Sequence, residues 1–194
     1  MRFAIKKANS KAKDLDYFKN RAEIAEILKS EQQNFCAYTE KYLGETDAGD
    51  IEHFNDRLKN TLDDNYFNWY FVATWANRGK PKIINYQPII QPEQAFDKNN
   101  GEINRIFYDK NTNKYETVLK PDVAAQNLID FIDLNHQSLF FDRLNTIKMV
   151  KSLEKVLPNK AELENHLLEN PTCLNFITAL ETHFGLRLLA QLQP

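Results

Sequence analysis

The chain has 194 residues, 42% of them hydrophobic and 27% charged, with a formal net charge of −2. No apolar run reaches the ~18 residues of a membrane span, and the basic start M-R-F-A-I-K-K lacks the apolar stretch of a secretory leader, so the expectation is a cytoplasmic protein with no membrane partner. The charge balance gives no bulk attraction to nucleic acid, and two cysteines, Cys36 and Cys173, exclude a four-cysteine zinc centre within the chain.

Basic side chains are nonetheless clustered. Arg2, Lys6, Lys7, Lys11 and Lys13 crowd the N-terminus, and Arg78, Lys80 and Lys82 form a second group. Residues 14–33 read as an amphipathic helix, with Leu15, Phe18, Ala22, Ala25 and Leu28 on one face and Asp14 as its cap. Phe35–Tyr42 is short and aromatic, which predicts a strand, and Asp50–Phe54 predicts a second one after the loop G-E-T-D-A-G. A polar stretch runs from Asn55 to Asn65. The apolar run over 66–77 is long enough for a helix, stopped by Gly79 and Pro81.

Further on, I-N-R-I-F-Y-D (103–109) and Tyr115–Leu119 predict a hairpin turning at K-N-T-N-K. Pro121 opens a helix with Ala124, Leu128 and Phe131 on one face, another helix spans about 136–156, and Asn170-Pro171 separates two last helices over roughly 160–169 and 172–191. The C-terminal pair reads as scaffold or as a docking surface through Leu174, Ile177 and Phe184.

Glu52, His53, Asn68 and Asn77 are the residues with chemistry to offer. Adjacent strand positions point to opposite faces, so the Glu52 carboxylate and the His53 imidazole take different tasks. Glu52 and the amide oxygen of Asn77 suit a hard cation such as Mg²⁺ or Mn²⁺, which keeps most of its waters and needs few protein ligands. His53 titrates near neutral pH and can take a proton from water. Asn68 would hold the loop backbone, and Arg78, Lys80 and Lys82 could meet phosphates. An E-H pair is common by chance, and on spacing alone a structural histidine reads as well.

D-I-E-H-F, then F-N-W, then W-A-N-R-G-K resembles the HNH, or ββα-metal, nuclease motif, and N-R-G-K also ends HNH domains of CRISPR effectors. Fifteen residues separate His53 from Asn68 and nine separate Asn68 from Asn77, within the spacing of that family. C-A-Y-T-E-K-Y before D-I-E-H-F is similar to the subgroup of retron-associated HNH proteins and the nuclease subunit of Septu antiphage systems. The later A-A-Q-N-L-I-D-F-I-D-L-N … L-F-F-D-R is similar to it as well. The resemblance covers about residues 30–150. It implies metal-dependent cleavage of DNA or RNA, with His53 as base, Asn68 supporting it, Glu52 and Asn77 as metal ligands, and an ATPase partner of the ABC or SMC-like type. The fold it implies is α+β and mainly helical. A basic segment and helix would occupy 1–33, a ββα-metal core 34–82, a strand and helix region 83–157 and a C-terminal helical extension 158–194.

The chain departs from that subgroup where it carries paired cysteines. Thr39, Ala73 and Ala76 stand in those places and only Cys36 remains, so no structural zinc is expected and an apolar cluster of Phe35, Tyr38, Trp69 and Trp75 replaces it. Two alternatives stay open: an HNH nuclease of restriction, repair or mobile elements, and a non-catalytic assembly subunit on a decayed nuclease fold.

Overall fold

The computed structural model describes residues 2–77, 80–96 and 104–192. Among these residues the fold is α+β and mainly helical, with seven α-helices and two small antiparallel sheets. Helix α1 (Tyr17–Glu31) precedes strands β1 (Gly49–His53) and β2 (Trp69–Ala73), and the four-residue helix α2 (Thr74–Asn77) follows β2 directly. A second hairpin, β3 (Ile106–Asp109) and β4 (Lys114–Thr117), leads into α3 (Val123–Phe131) and α4 (Gln137–Glu154). The chain ends in α5 (Lys160–Glu169), α6 (Ile177–Phe184) and α7 (Leu188–Leu192). No helix among the described residues is long and apolar enough to cross a membrane.

The 66–77 segment corrects the sequence reading. Its first three residues form a 3-10 turn, the next five are β2, and only the last four are α-helical. The physical reason is that W-Y-F-V-A is buried on both faces, which erases the alternation that distinguishes a strand from a buried helix. β2 pairs with β1 in the register Ile51↔Phe71 and His53↔Trp69. Gly49 makes that pairing possible, since a Cβ there would collide with the Phe71 ring.

β2 has a strand on one side only, and its free edge needs other partners. Gln32 supplies them: its Nε2 donates to Phe71 O (2.7 Å) and its Oε1 accepts from Phe71 N (2.9 Å). Cys36 Sγ accepts from Ala73 N (3.4 Å), and Ala37 N donates to Phe71 O. The 35–42 segment is therefore a tight loop with a single bridge, Phe35↔Tyr42, and not the strand its composition predicts. Its residues bond across to β2 instead of extending beside a neighbour.

Helix α1 starts later than expected, capped by Asp16 through the N–H groups of Phe18 and Lys19. Phe18 is 73% exposed, and Ile24 and Leu28 carry the buried face beyond the non-helical backbone at Asn20. Of the N-terminal basic run, Lys7, Lys11 and Lys13 are exposed, and Lys6 is turned inward. Lys6 is half-buried, donates to Tyr66 O (2.8 Å) and Trp69 O, and lies 3.7 Å from the Tyr70 ring centre. Burial pushes its ammonium down to about 7.

The C-terminal helices are an internal wall, which corrects the docking expectation. Leu174, Ile177 and Leu180 are fully buried in a second apolar cluster with Phe3, Phe35 and Val150, and Phe184 packs on its margin. The last predicted helix is broken at Phe176, whose φ of 61° precedes α6, and at Gly185, whose φ of 64° ends it. Glu40 caps α6 from across the molecule: Oε2 accepts from Thr178 N (2.9 Å) and Oε1 from Thr178 Oγ1 (2.8 Å). Because Glu40 is fully buried, Glu40→Ala is expected to destabilise the fold by about 2–4 kcal/mol in urea unfolding, from two lost charge-assisted bonds and an uncapped helix. A loss under about 1 kcal/mol would remove this account of how the C-terminal helices are held.

Candidate active site

β1 ends at a cleft of about 350 Å³ lined by Tyr17, Arg21, Asp50, Glu52, His53, Asp56, Lys59, Asn77, Lys80 and Lys82. Glu52 and His53 thus reach the same cleft as Asn77 and two of the lysines singled out from the sequence. Helix α2 packs against both β1 and β2, which brings Asn77 back over the hairpin. Lys82 is exposed at the rim, as are Arg21 and Lys59. Arg78 lies outside the described residues.

His53 is buried to 6% exposure and held from two sides. The Tyr17 ring stands edge-on to it, 4.6 Å between centres. Asp64 Oδ2 lies 3.1 Å from its Nε2. Asp64 is itself fixed through its other oxygen, which accepts from Trp69 Nε1 (2.8 Å) and from Asn68 Nδ2 (3.0 Å). The approach of the Asp64 carboxylate to Nε2 favours the tautomer that carries its proton there and leaves the lone pair on Nδ1. Burial lowers the His53 pKa from 6.5, and the Asp64 carboxylate pulls it part of the way back, while Lys59 and Arg21 push it down further.

Asn68 sits in the 3-10 turn just before β2 and clamps the β1–β2 loop. Its Oδ1 accepts from Asn55 N (2.7 Å), its Nδ2 donates to Asn55 O (3.2 Å), and its own carbonyl accepts from Phe54 N (2.9 Å). One side chain therefore touches both the backbone two residues after His53 and the carboxylate behind its imidazole.

Glu52 leaves β1 next to His53 and takes a separate partner. The Lys80 ammonium sits on Glu52 Oε1, and it also donates to the carbonyls of His53 (3.1 Å) and Phe54 (3.3 Å). Lys80, read from the sequence as a phosphate contact, is turned inward, and burial draws its ammonium down to about 7. Asp50, at the cleft's other end, lies 3.8 Å from Arg21.

A divalent cation is implied by the sequence resemblance, and the donor set bears on its fit. Glu52 and Asn77 offer hard oxygens on one cleft, and the Lys80 ammonium shows that Glu52 accepts positive charge there. Among the described residues no group of three His, Cys, Asp or Glu side chains comes together as a metal cage. The set fits an ion that keeps its waters, such as Mg²⁺, better than one that demands four protein ligands.

Sequence reasoning missed Asp64, Tyr17, Arg21 and Lys59. Asp64 sits in the polar stretch before β2 beside Asp63, and no periodicity separates the two. Of the four aromatics expected to form a small core, Phe35, Tyr38 and Trp69 are buried, but Trp75 is 45% exposed on α2. A larger cleft of about 450 Å³ lies between Lys41–Leu43, Trp75 and Asn175. Among the described residues that line it there is no histidine, and its lysine, Lys41, is committed to Asp142 at 2.8 Å, so of these two clefts the smaller gathers the chemistry. Comparison of the chain with protein-family models, curated proteins and solved structures gives no match.

Proposed function

We propose that the chain is a metal-dependent nuclease that hydrolyses phosphodiester bonds of nucleic acid, built on an HNH, ββα-metal core over residues 34–82. The observation that carries this reading is the pairing of His53 with Asp64 on the floor of a cleft that Glu52 and Asn77 share and three exposed cations surround. His53 Nδ1 takes a proton from a water and leaves a hydroxide to attack phosphorus. The imidazolium that results is stabilised by Asp64 at Nε2. Arg21, Lys59 and Lys82 draw the phosphate backbone into the cleft, which offsets the acidic net charge of the chain as a whole. Glu52 and Asn77 would hold the cation, which when bound polarises the scissile phosphate and neutralises the leaving oxygen.

The closer resemblance carries the proposal further, to the nuclease subunit of an antiphage defence system working with an ABC or SMC-like ATPase. The contact between Cys36 Sγ and Ala73 N supports the lost-knuckle part of that reading, because it joins two positions where the subgroup has cysteines. A second reading, a non-catalytic binding subunit, draws on the inward Lys80 at Glu52.

Incubation with duplex DNA, single-stranded DNA and transfer RNA, in Mg²⁺ or Mn²⁺ and against a chelator control, separates the two. Cleavage that needs the metal is expected. Asn77→Ala is expected to lower it by at least the ~10–100-fold that even outer partners of a metal site cost, with thermal melting unchanged. An unchanged rate would remove Asn77 from the site. No cleavage of any substrate with either metal would leave only the binding subunit.

A further inference from the structure

The place on Glu52 that a divalent cation needs is taken by the protein's own ammonium. Lys80 Nζ rests on Glu52 Oε1, with the carbonyls of His53 and Phe54 completing an oxygen nest around it and the Phe131 ring 4.5 Å from the charge. Both side chains are almost withdrawn from solvent, 8% exposed for Lys80 and 6% for Glu52.

A carboxylate that buried cannot stand alone, because a desolvated charge without a partner costs several kcal/mol. Glu52 is therefore either protonated or paired with a cation, and in this structure its partner is Lys80. Two positive centres competing for one carboxylate repel each other, so Lys80 and a divalent ion are alternatives and not neighbours. Lys80 has another place to go. It lines the cleft with Asn77 and Lys82, where a phosphodiester would offer it a fresh anionic oxygen.

We propose that Lys80 gates the metal position: it occupies Glu52 in the free protein and yields it to a divalent cation when a nucleic-acid phosphate draws the ammonium into the cleft. This rests on the reading of Glu52 as a metal ligand. It deepens that reading by adding regulation, since metal and phosphate then bind with positive coupling, and coupling of this kind is reciprocal. A protein without nucleic acid holds little metal and stays silent. The control lies inside the site, on a side chain contributed by the segment that follows α2.

The test is Mn²⁺ affinity, read from the electron paramagnetic resonance signal of the free aqua ion, with no cleavage involved. Without nucleic acid, Lys80→Gln and Lys80→Met are each expected to bind Mn²⁺ at least about tenfold more tightly than the wild type, within the range of ordinary coupling between two sites. Adding Glu52→Gln is expected to abolish that binding. In a His53→Ala background, which keeps the nucleic acid intact, a short DNA duplex is expected to tighten Mn²⁺ binding about tenfold or more with Lys80 present, and much less when Lys80→Gln is added. Equal affinity in the wild-type and Lys80→Gln proteins overturns the gate and leaves the nuclease reading standing. No Mn²⁺ in any protein, with or without duplex, takes Glu52 out of metal binding and both ideas with it. If the uncharged variants do not fold, the duplex arm with Lys80 intact decides, and an affinity that the duplex does not change overturns the gate.

Discussion

His53→Ala is expected to lower the rate of nucleic-acid cleavage by about 10²–10⁴-fold, the usual worth of a positioned general base, with little change in KM or in thermal melting. Alanine removes the imidazole from the cleft and leaves Asp64 with Trp69, Asn68 and Asn60 still bonded to it. The wild-type rate should also carry the signature of this group. A base must be neutral to act, and burial holds the His53 pKa below its ordinary 6.5. The rate therefore rises with pH through a midpoint below 6.5 and is flat above it. The sign for stability is the same: a depressed histidine pKa favours the neutral folded form, so this contribution is complete above 6.5 and is lost as pH falls through the lowered value. A residual rate in His53→Ala near that of wild type, or a rate that falls as pH rises from about 5 to 7, would show that another group does the work.

Much of the frame was legible in the sequence because it rests on local chemistry. Helices α3, α4 and α5 follow their caps and apolar faces, and the β3–β4 hairpin follows its turn residues. β1 was legible within one residue at each end. The segment over 66–77 was not, since the choice between strand and helix was made by what lies against it: β1 on one side and Gln32 with Cys36 on the other. Such partners are remote in sequence and leave no period behind. The same limit applied to the site. Glu52, His53, Asn68 and Asn77 stood out through a motif, whereas Asp64 and Tyr17 owe their places to the path of a loop and the packing of α1. Lys80 illustrates the third kind of gap. Its charge was visible, but which way it points depends on a carboxylate 28 positions earlier in the chain. The C-terminal stripe of Leu174, Ile177 and Leu180 was readable as apolar, and only the fold shows that Phe3 and Phe35 already cover it.

Asp64→Asn is expected to cost nearly as much activity as His53→Ala, about 10²–10⁴-fold, while leaving the fold close to its original stability. The change is one atom, and the surrounding donors decide how the new amide must sit. Trp69 Nε1 at 2.8 Å and Asn68 Nδ2 at 3.0 Å both donate to Oδ1, so the amide carbonyl has to stay there. The amide nitrogen then takes the place of Oδ2, facing His53 Nε2 at about 3.1 Å and, at 3.4 Å, the weakly donating Asn60 N–H. The opposite orientation would set an N–H₂ against two well-formed donors, which costs more than one long donor contact. An amide N–H pointing at Nε2 makes that nitrogen an acceptor and moves the imidazole proton to Nδ1. Nδ1, the nitrogen proposed as the base, is then already protonated and cannot take a proton from water at any pH. Raising the pH should therefore not rescue the variant, which distinguishes this cause from a simple pKa shift. Nitrogen-15 spectra of the imidazole read the outcome directly: the proton on Nε2 in the wild type, on Nδ1 in Asp64→Asn. A variant that keeps the wild-type rate, or keeps its proton on Nε2, would mean that Asp64 holds the loop and does nothing for the base.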